Sequence, residues 1–140
     1  MLYHCKLELN GEGGYIALFP DVPEALTEGA SRAEALDNAA DALEVALLGR
    51  MKDGDLIPAA STKSRGGEAV YVPAHSAAKL AFYVAFRESG LSRSALSRKL
   101  DKDEAEIRRM LDPYHATKLP PLEEALLALG KRLVIDVQAA

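Results

Sequence analysis

Carboxylates, imidazoles and thiols are the groups from which this 140-residue chain could build a reaction centre. A nuclease that works through Mg²⁺ needs several carboxylates held together on strands with their backs to a core. The strand-like segments offer only Glu8 and Glu28, while the other acids of the first half fall on a helical segment or in loops. His4, His75 and His115 are far apart in sequence and show no zinc-ligand spacing, so they read as structural or surface histidines. Cys5 is the single cysteine, which rules out an intramolecular disulfide. It alternates with Tyr3, Leu7 and Leu9, as a buried thiol would, and a reducing, cytosolic setting follows. No nucleophile elbow, phosphate loop or dinucleotide fingerprint occurs. The expectation is therefore a binding protein without catalysis, cofactor or metal.

Charge divides the chain. Residues 1–74 hold 6 Lys/Arg against 12 Asp/Glu, whereas residues 75–140 hold 11 against 9. An acidic half suits a basic protein and a mildly basic half suits nucleic acid. In the first half, Glu34, Asp37, Asp41 and Glu44 recur at three and four residues, making an acidic stripe on a helix, and Asp21, Glu24 and Glu28 lie just before it. The stripe reads either as a solvated face or as a docking strip for a basic protein.

The most informative segment of the second half runs from Leu96 to Met110 and resembles the helix-turn-helix. Ser97 stands where a small residue must let two helices approach, Asp101 falls at the turn and Ile107 at the β-branched core position, with Leu96, Leu100 and Met110 at the other apolar places. Glycine usually fills that turn because the backbone is left-handed there; Asp tolerates the conformation better than most residues. The second helix would enter a major groove with its first residues at base edges. Those are Lys102, Asp103, Glu104 and Glu106, followed by Arg108 and Arg109. Acids cannot hold phosphate; they can accept from cytosine N4 or cap the helix, as Asp103 is placed to do. Arg93, Lys99, Lys102, Arg108 and Arg109 are candidates for DNA contact, joined by His115, Thr117 and Lys118 in the following loop. A helical bundle with this shape that binds only protein is the competing reading.

The elements that must position these groups are legible from periodicity. Tyr3 to Leu9 alternates as a half-buried strand, Gly11-Glu12-Gly13-Gly14 supplies a hairpin loop, and Tyr15 to Phe19 returns until Pro20. A short third strand fits Leu26 to Glu28. Ser31 with Glu34 makes a capping box for a helix whose apolar face is Leu36, Ala39, Ala40, Leu43, Ala46, Leu47 and Met51. Residues 58–67 have loop composition and Ala69 to Val72 is one more strand, giving β-β-β-α-β. Beyond it, Ser76 can cap a helix running to Glu88, and three short helices fit 92–99, 103–111 and 121–129. Leu133, Val134, Ile135 and Val137 mark a terminal strand. It must pair with the first-half sheet or with a copy of itself, and self-pairing across a two-fold axis would give a homodimer or a tetramer. No segment reaches the roughly 20 apolar residues of a membrane span, and the N-terminus has no secretory signal pattern.

Gly13 to Pro23, Thr27-Glu28-Gly29, Glu34-Ala35-Leu36 and Asp53-Gly54-Asp55-Leu56-Ile57-Pro58 occur in the order and spacing of the HicB antitoxin signature, and residues 1–74 resemble that family. The family often has Gly-Cys after the proline at 23, where this chain has Glu24-Ala25-Leu26. The resemblance implies an α+β protein. Residues 1–74 would be a truncated ribonuclease-H-like domain without catalysis, and residues 75–140 a helix-turn-helix domain for DNA binding and dimerisation, closed by a C-terminal strand. It implies two partners, a small basic HicA-type mRNA-cutting ribonuclease toxin and operator DNA; hydropathy leaves no expectation of a membrane partner. Asp21, Glu24, Glu28, Glu34, Asp37, Asp41 and Glu44 would then be the toxin-facing acids. The alternative is a stand-alone repressor whose first domain senses a small ligand.

Overall fold

The computed structural model describes residues 1–59 and 67–140. They fall into two compact units, Met1–Ala77 and Ala78–Ala140, and together make a mixed α+β protein. Of the loop expected at 58–67, residues 60–66 lie outside the described residues.

Alternation builds the sheet of the first unit. Strand β1 (Leu2–Leu9) pairs antiparallel with β2 (Tyr15–Leu18) on one side and β4 (Glu68–Tyr71) on the other, and β2 pairs with β3 (Thr27–Gly29), so the order is β3-β2-β1-β4. Helix α1 (Arg32–Lys52) enters between β3 and β4 in sequence. Tyr3 and Cys5 are buried as expected, but Leu7 is half-buried and Leu9 is exposed. Leu9 forms the last rung with Tyr15 before the hairpin loop, where the core ends. In that loop Gly11 and Gly13 take φ of +82° and +85°, and the Asn10 Oδ1 accepts from the backbone N–H groups of Glu12 and Gly14 at 2.8 and 3.0 Å. Burial pushes the Cys5 thiol above its usual range, although a backbone hydrogen bond works against it.

Ser31 caps α1 by accepting from Glu34 N at 3.1 Å. The buried line of α1 is Ala35, Ala39, Leu43, Leu47 and Met51. Leu36, Ala40 and Ala46, expected in that line, are half-buried flanks, and Ala35 takes the central place instead. The cause is Gly29: a Cβ there would stand 2.3 Å from Ala35 N, so β3 runs against the first turn of α1 and only small residues fit the contact. The core is closed by Phe19, Val22, Ala25, Val70 and Val72, and the Tyr3 hydroxyl donates to the Pro58 carbonyl at 2.7 Å.

Helix α2 (Ala74–Ser89) starts two residues before Ser76. Ser76 is buried inside the helix and its hydroxyl donates to Glu44 Oε1 at 2.5 Å, so it is not the cap. Gly90 stops α2 with φ of +70°. There follow α3 (Arg93–Leu100), α4 (Glu104–Leu111) and α5 (Leu119–Ala128). Prolines 120 and 121 lie in the first turn of α5, where a missing N–H costs nothing. Phe82, Leu96, Leu100, Ile107, Met110, Leu122 and Leu126 are the large side chains of the second core, with Leu129 and Leu133 packed against it.

The expected terminal strand is not formed in the single chain. Residues 131–140 carry no strand, and Val134, Ile135 and Val137 are 77 %, 68 % and 90 % exposed. A strand needs a ladder partner, and among the described residues this segment pairs with none.

Candidate functional site

The turn between α3 and α4 has the backbone the sequence asks for. Asp101 has φ 52° and ψ 50° and is the one non-glycine residue of positive φ among those described. Its N–H reaches back to the carbonyl of Arg98 at 3.3 Å, and that of Lys102 to the carbonyl of Ser97 at 3.0 Å. The Ser97 hydroxyl donates to the Lys102 carbonyl, so the small residue both admits the second helix and bonds the turn. Leu96, Leu100, Ile107 and Met110 are all buried. Ser92 caps α3 by accepting from Ala95 N at 3.0 Å. Asp103 stands at the N-cap of α4, but its side chain makes no capping bond, contrary to expectation; its backbone carbonyl instead accepts from Glu106 and Ile107.

With Ile107 and Met110 turned inward, the 100° step of a helix sends Glu104, Ala105, Arg108 and Arg109 outward, and all four are exposed. Arg93 and Lys99 on α3 are exposed as well, as are His115 and Lys118; Thr117 is half-buried. His115 Nδ1 and Thr117 Oγ1 are 3.1 Å apart. Lys102 is placed differently. Only 17 % of its side chain is exposed, and its ammonium lies 3.5 Å from both Glu106 Oε1 and Glu124 Oε2, tying the start of α4 to α5. Glu104 accepts from the Ser94 hydroxyl at 2.6 Å, and with Glu106 it complements the positive end of the α4 dipole.

Two residues of this region escaped the sequence reading. Ala105 lies between the two arginines on the outward face, and an alanine at helical spacing gives no signal of exposure. Lys79 is 4 % exposed and donates to the carbonyls of Arg109, Asp112 and His115. Desolvation pulls its pKa below the usual lysine range, with Asp112 pushing the other way.

The acids of the first unit separate into two groups. Glu34, Asp37 and Asp41 stand exposed along α1, and Val45, 71 % exposed, continues the same stripe. Glu28 is exposed, and its backbone carbonyl accepts from Asn38 Nδ2 at 2.9 Å. Glu44 is occupied by Ser76 and by His75, whose Nε2 is 3.3 Å away. Glu24 receives both sides of the Arg50 guanidinium, with Nη2 to Oε2 at 2.9 Å. This bond holds the Glu24 carboxyl below its ordinary range against partial burial. The pair lines an open groove with Gly49, Asp53, Asp55 and Leu56. Asp21 is half-buried. Burial is what most raises the pKa of the Tyr3 hydroxyl, and the charge of Asp21 helps to raise it. Among the described residues no group of three or more His, Cys, Asp or Glu side chains is arranged to hold a metal ion, and no helix is long and apolar enough to cross a membrane.

Fold and surface define the class: an α+β protein whose first unit exposes an acidic helix and whose second presents two helices joined through a left-handed turn. Residues 2–81 match the model of the HicB_like antitoxin of bacterial toxin-antitoxin systems. The chain is 38 % identical over 133 residues to Antitoxin HicB of Escherichia coli (strain K12), covering 95 % of this chain and 96 % of that protein. It is 42 % identical over 134 residues to Antitoxin HicB 2 of Photorhabdus laumondii subsp. laumondii, covering 95 % and 94 %. To Antitoxin HicB 1 of the same organism it is 36 % identical over 138 residues, covering 99 % and 88 %. The chain belongs to the HicB-like antitoxin family of bacterial toxin–antitoxin systems.

Proposed function

We propose that this antitoxin neutralises a small basic HicA-type ribonuclease through residues 1–74 and represses its own operon through residues 75–140, as a dimer or tetramer in the cytosol. The observation that supports the division of labour is a pair of oppositely charged helix surfaces, one in each unit: Glu34, Asp37 and Asp41 exposed on α1, and Arg108 and Arg109 exposed on α4. Complementary charge speeds the encounter with a basic toxin, and covering the toxin's active surface is enough to stop it; no chemistry by the antitoxin is required. Val45 and Leu26, both exposed, are apolar anchors for that contact.

On the other unit, α4 enters a major groove. Arg108 and Arg109 meet phosphate or guanine, Ala105 is short enough to admit a thymine methyl, and Arg93, Lys99 and Lys118 hold the backbone. Glu104 accepts from cytosine; Lys102, already paired with two acids, braces α4 instead.

Titration of the operon's promoter fragment at several salt concentrations tests this. Arg109→Ala is expected to weaken binding and to lower the salt slope by about one, whereas Glu34→Ala leaves both unchanged. Equal effects of the two substitutions would remove DNA from the second unit.

A further inference from the structure

Lys79 is a buried cation that no part of the proposed function uses directly. An ammonium removed from water is costly unless its donors are filled, and here three donors meet three carbonyls, those of Arg109, Asp112 and His115. The acceptors are not scattered. Arg109 lies in the last turn of α4, Asp112 is the residue after the helix, and His115 is three further on. The same carbonyls serve the loop's own amides: Asp112 O accepts from His115 N at 3.2 Å, and His115 O from Thr117 N at 2.9 Å. The last carbonyls of a helix and the negative end of its dipole both favour a cation. Such a buried charge adds little net stability over an apolar side chain of its size, so what it supplies is a fixed geometry for the loop.

We propose that Lys79 is a positioning residue for the DNA-facing surface, tying the loop 112–118 to the end of α4 in the one arrangement that presents His115, Thr117 and Lys118 beside Arg109. This rests on the DNA-binding reading above. Lys79 touches no DNA; it acts through the loop, and that separates it from a residue that only stabilises the fold.

The test uses the full chain and its promoter fragment. Lys79→Met keeps the stem and removes the charge. It is expected to weaken binding roughly tenfold, the scale of a lost charge-assisted hydrogen bond, while toxin neutralisation is unchanged. In a His115→Ala, Thr117→Ala, Lys118→Ala background the same substitution should add less than about twofold, because residues acting through one another are not additive. A tenfold loss in both backgrounds would mean a merely structural role and overturn the inference. Should Lys79→Met fail to fold, hydrogen exchange of the unaltered protein decides: the bonded amides of Tyr114, His115 and Thr117 should exchange as slowly as those of α4, and open-loop rates would overturn the inference. A wild-type chain that ignores promoter DNA overturns the DNA reading, and the role of Lys79 with it. A chain that binds equally with Lys or Met at 79 overturns the role of Lys79 alone.

Discussion

Asp101 carries the second unit's turn. Its left-handed backbone costs an L-residue of ordinary shape about 1–2 kcal/mol, and Asp lessens this with a short polar side chain. Asp101→Gly is therefore expected to leave the thermal midpoint equal or slightly higher, and Asp101→Val to lower stability by about 1–2 kcal/mol. A valine variant as stable as the wild type in a melt followed by circular dichroism would contradict the conformation. Glu24 makes a second residue-scale prediction. Because Arg50 holds its carboxyl below the unfolded value, the pair contributes stability above the ordinary carboxylate range, and that contribution is lost as pH falls through the depressed folded pKa. The pair is partly exposed, so its worth is about 1 kcal/mol or less. Glu24→Gln should cost that much in urea denaturation at neutral pH, and the difference should fade in strong acid; a constant difference across pH would mean the charge is irrelevant. Spacing was enough to assign Asp101, Ser97 and Ile107, because a tight turn between helices imposes a local pattern. The pairings of Glu24 with Arg50, Glu44 with Ser76 and Lys102 with Glu124 join residues 20 or more apart, and nothing local records them.

At the scale of elements, amphipathic spacing located α1, and the Ser31 cap fixed its start. What it could not supply was the rotation of the helix, which Gly29 and Ala35 set by close approach. The terminal segment shows the opposite limit. Its β-branched run reads as a strand, yet strand structure depends on a ladder partner, and the segment has none among the described residues. Leu133 is packed on the second core while Val134 and Ile135 face solvent, so Val134→Lys with Ile135→Lys should spare the fold and break any self-pairing. Sedimentation at micromolar concentration is expected to show a dimer for the wild type and a monomer for this variant, with promoter affinity falling in parallel. An unchanged sedimentation coefficient would refute the self-pairing of this strand.

At the scale of the molecule, the proposed function gives each of two separately cored units its own partner, so the two surfaces should work independently. The direct measurement is a crossed titration of two full-length variants against both partners, the operon's toxin and its promoter fragment. Glu34→Lys, Asp37→Lys and Asp41→Lys together reverse the α1 face and leave the internally bonded Glu24 and Glu44 alone; Arg108→Ala with Arg109→Ala strips the α4 face. The first variant should associate with the toxin more slowly, by a margin that shrinks at high salt, and should bind promoter DNA as the wild type does. The second should keep full toxin binding and lose most of its affinity for DNA. If either variant loses both partners, or neither loses its own, the two faces do not carry the two functions.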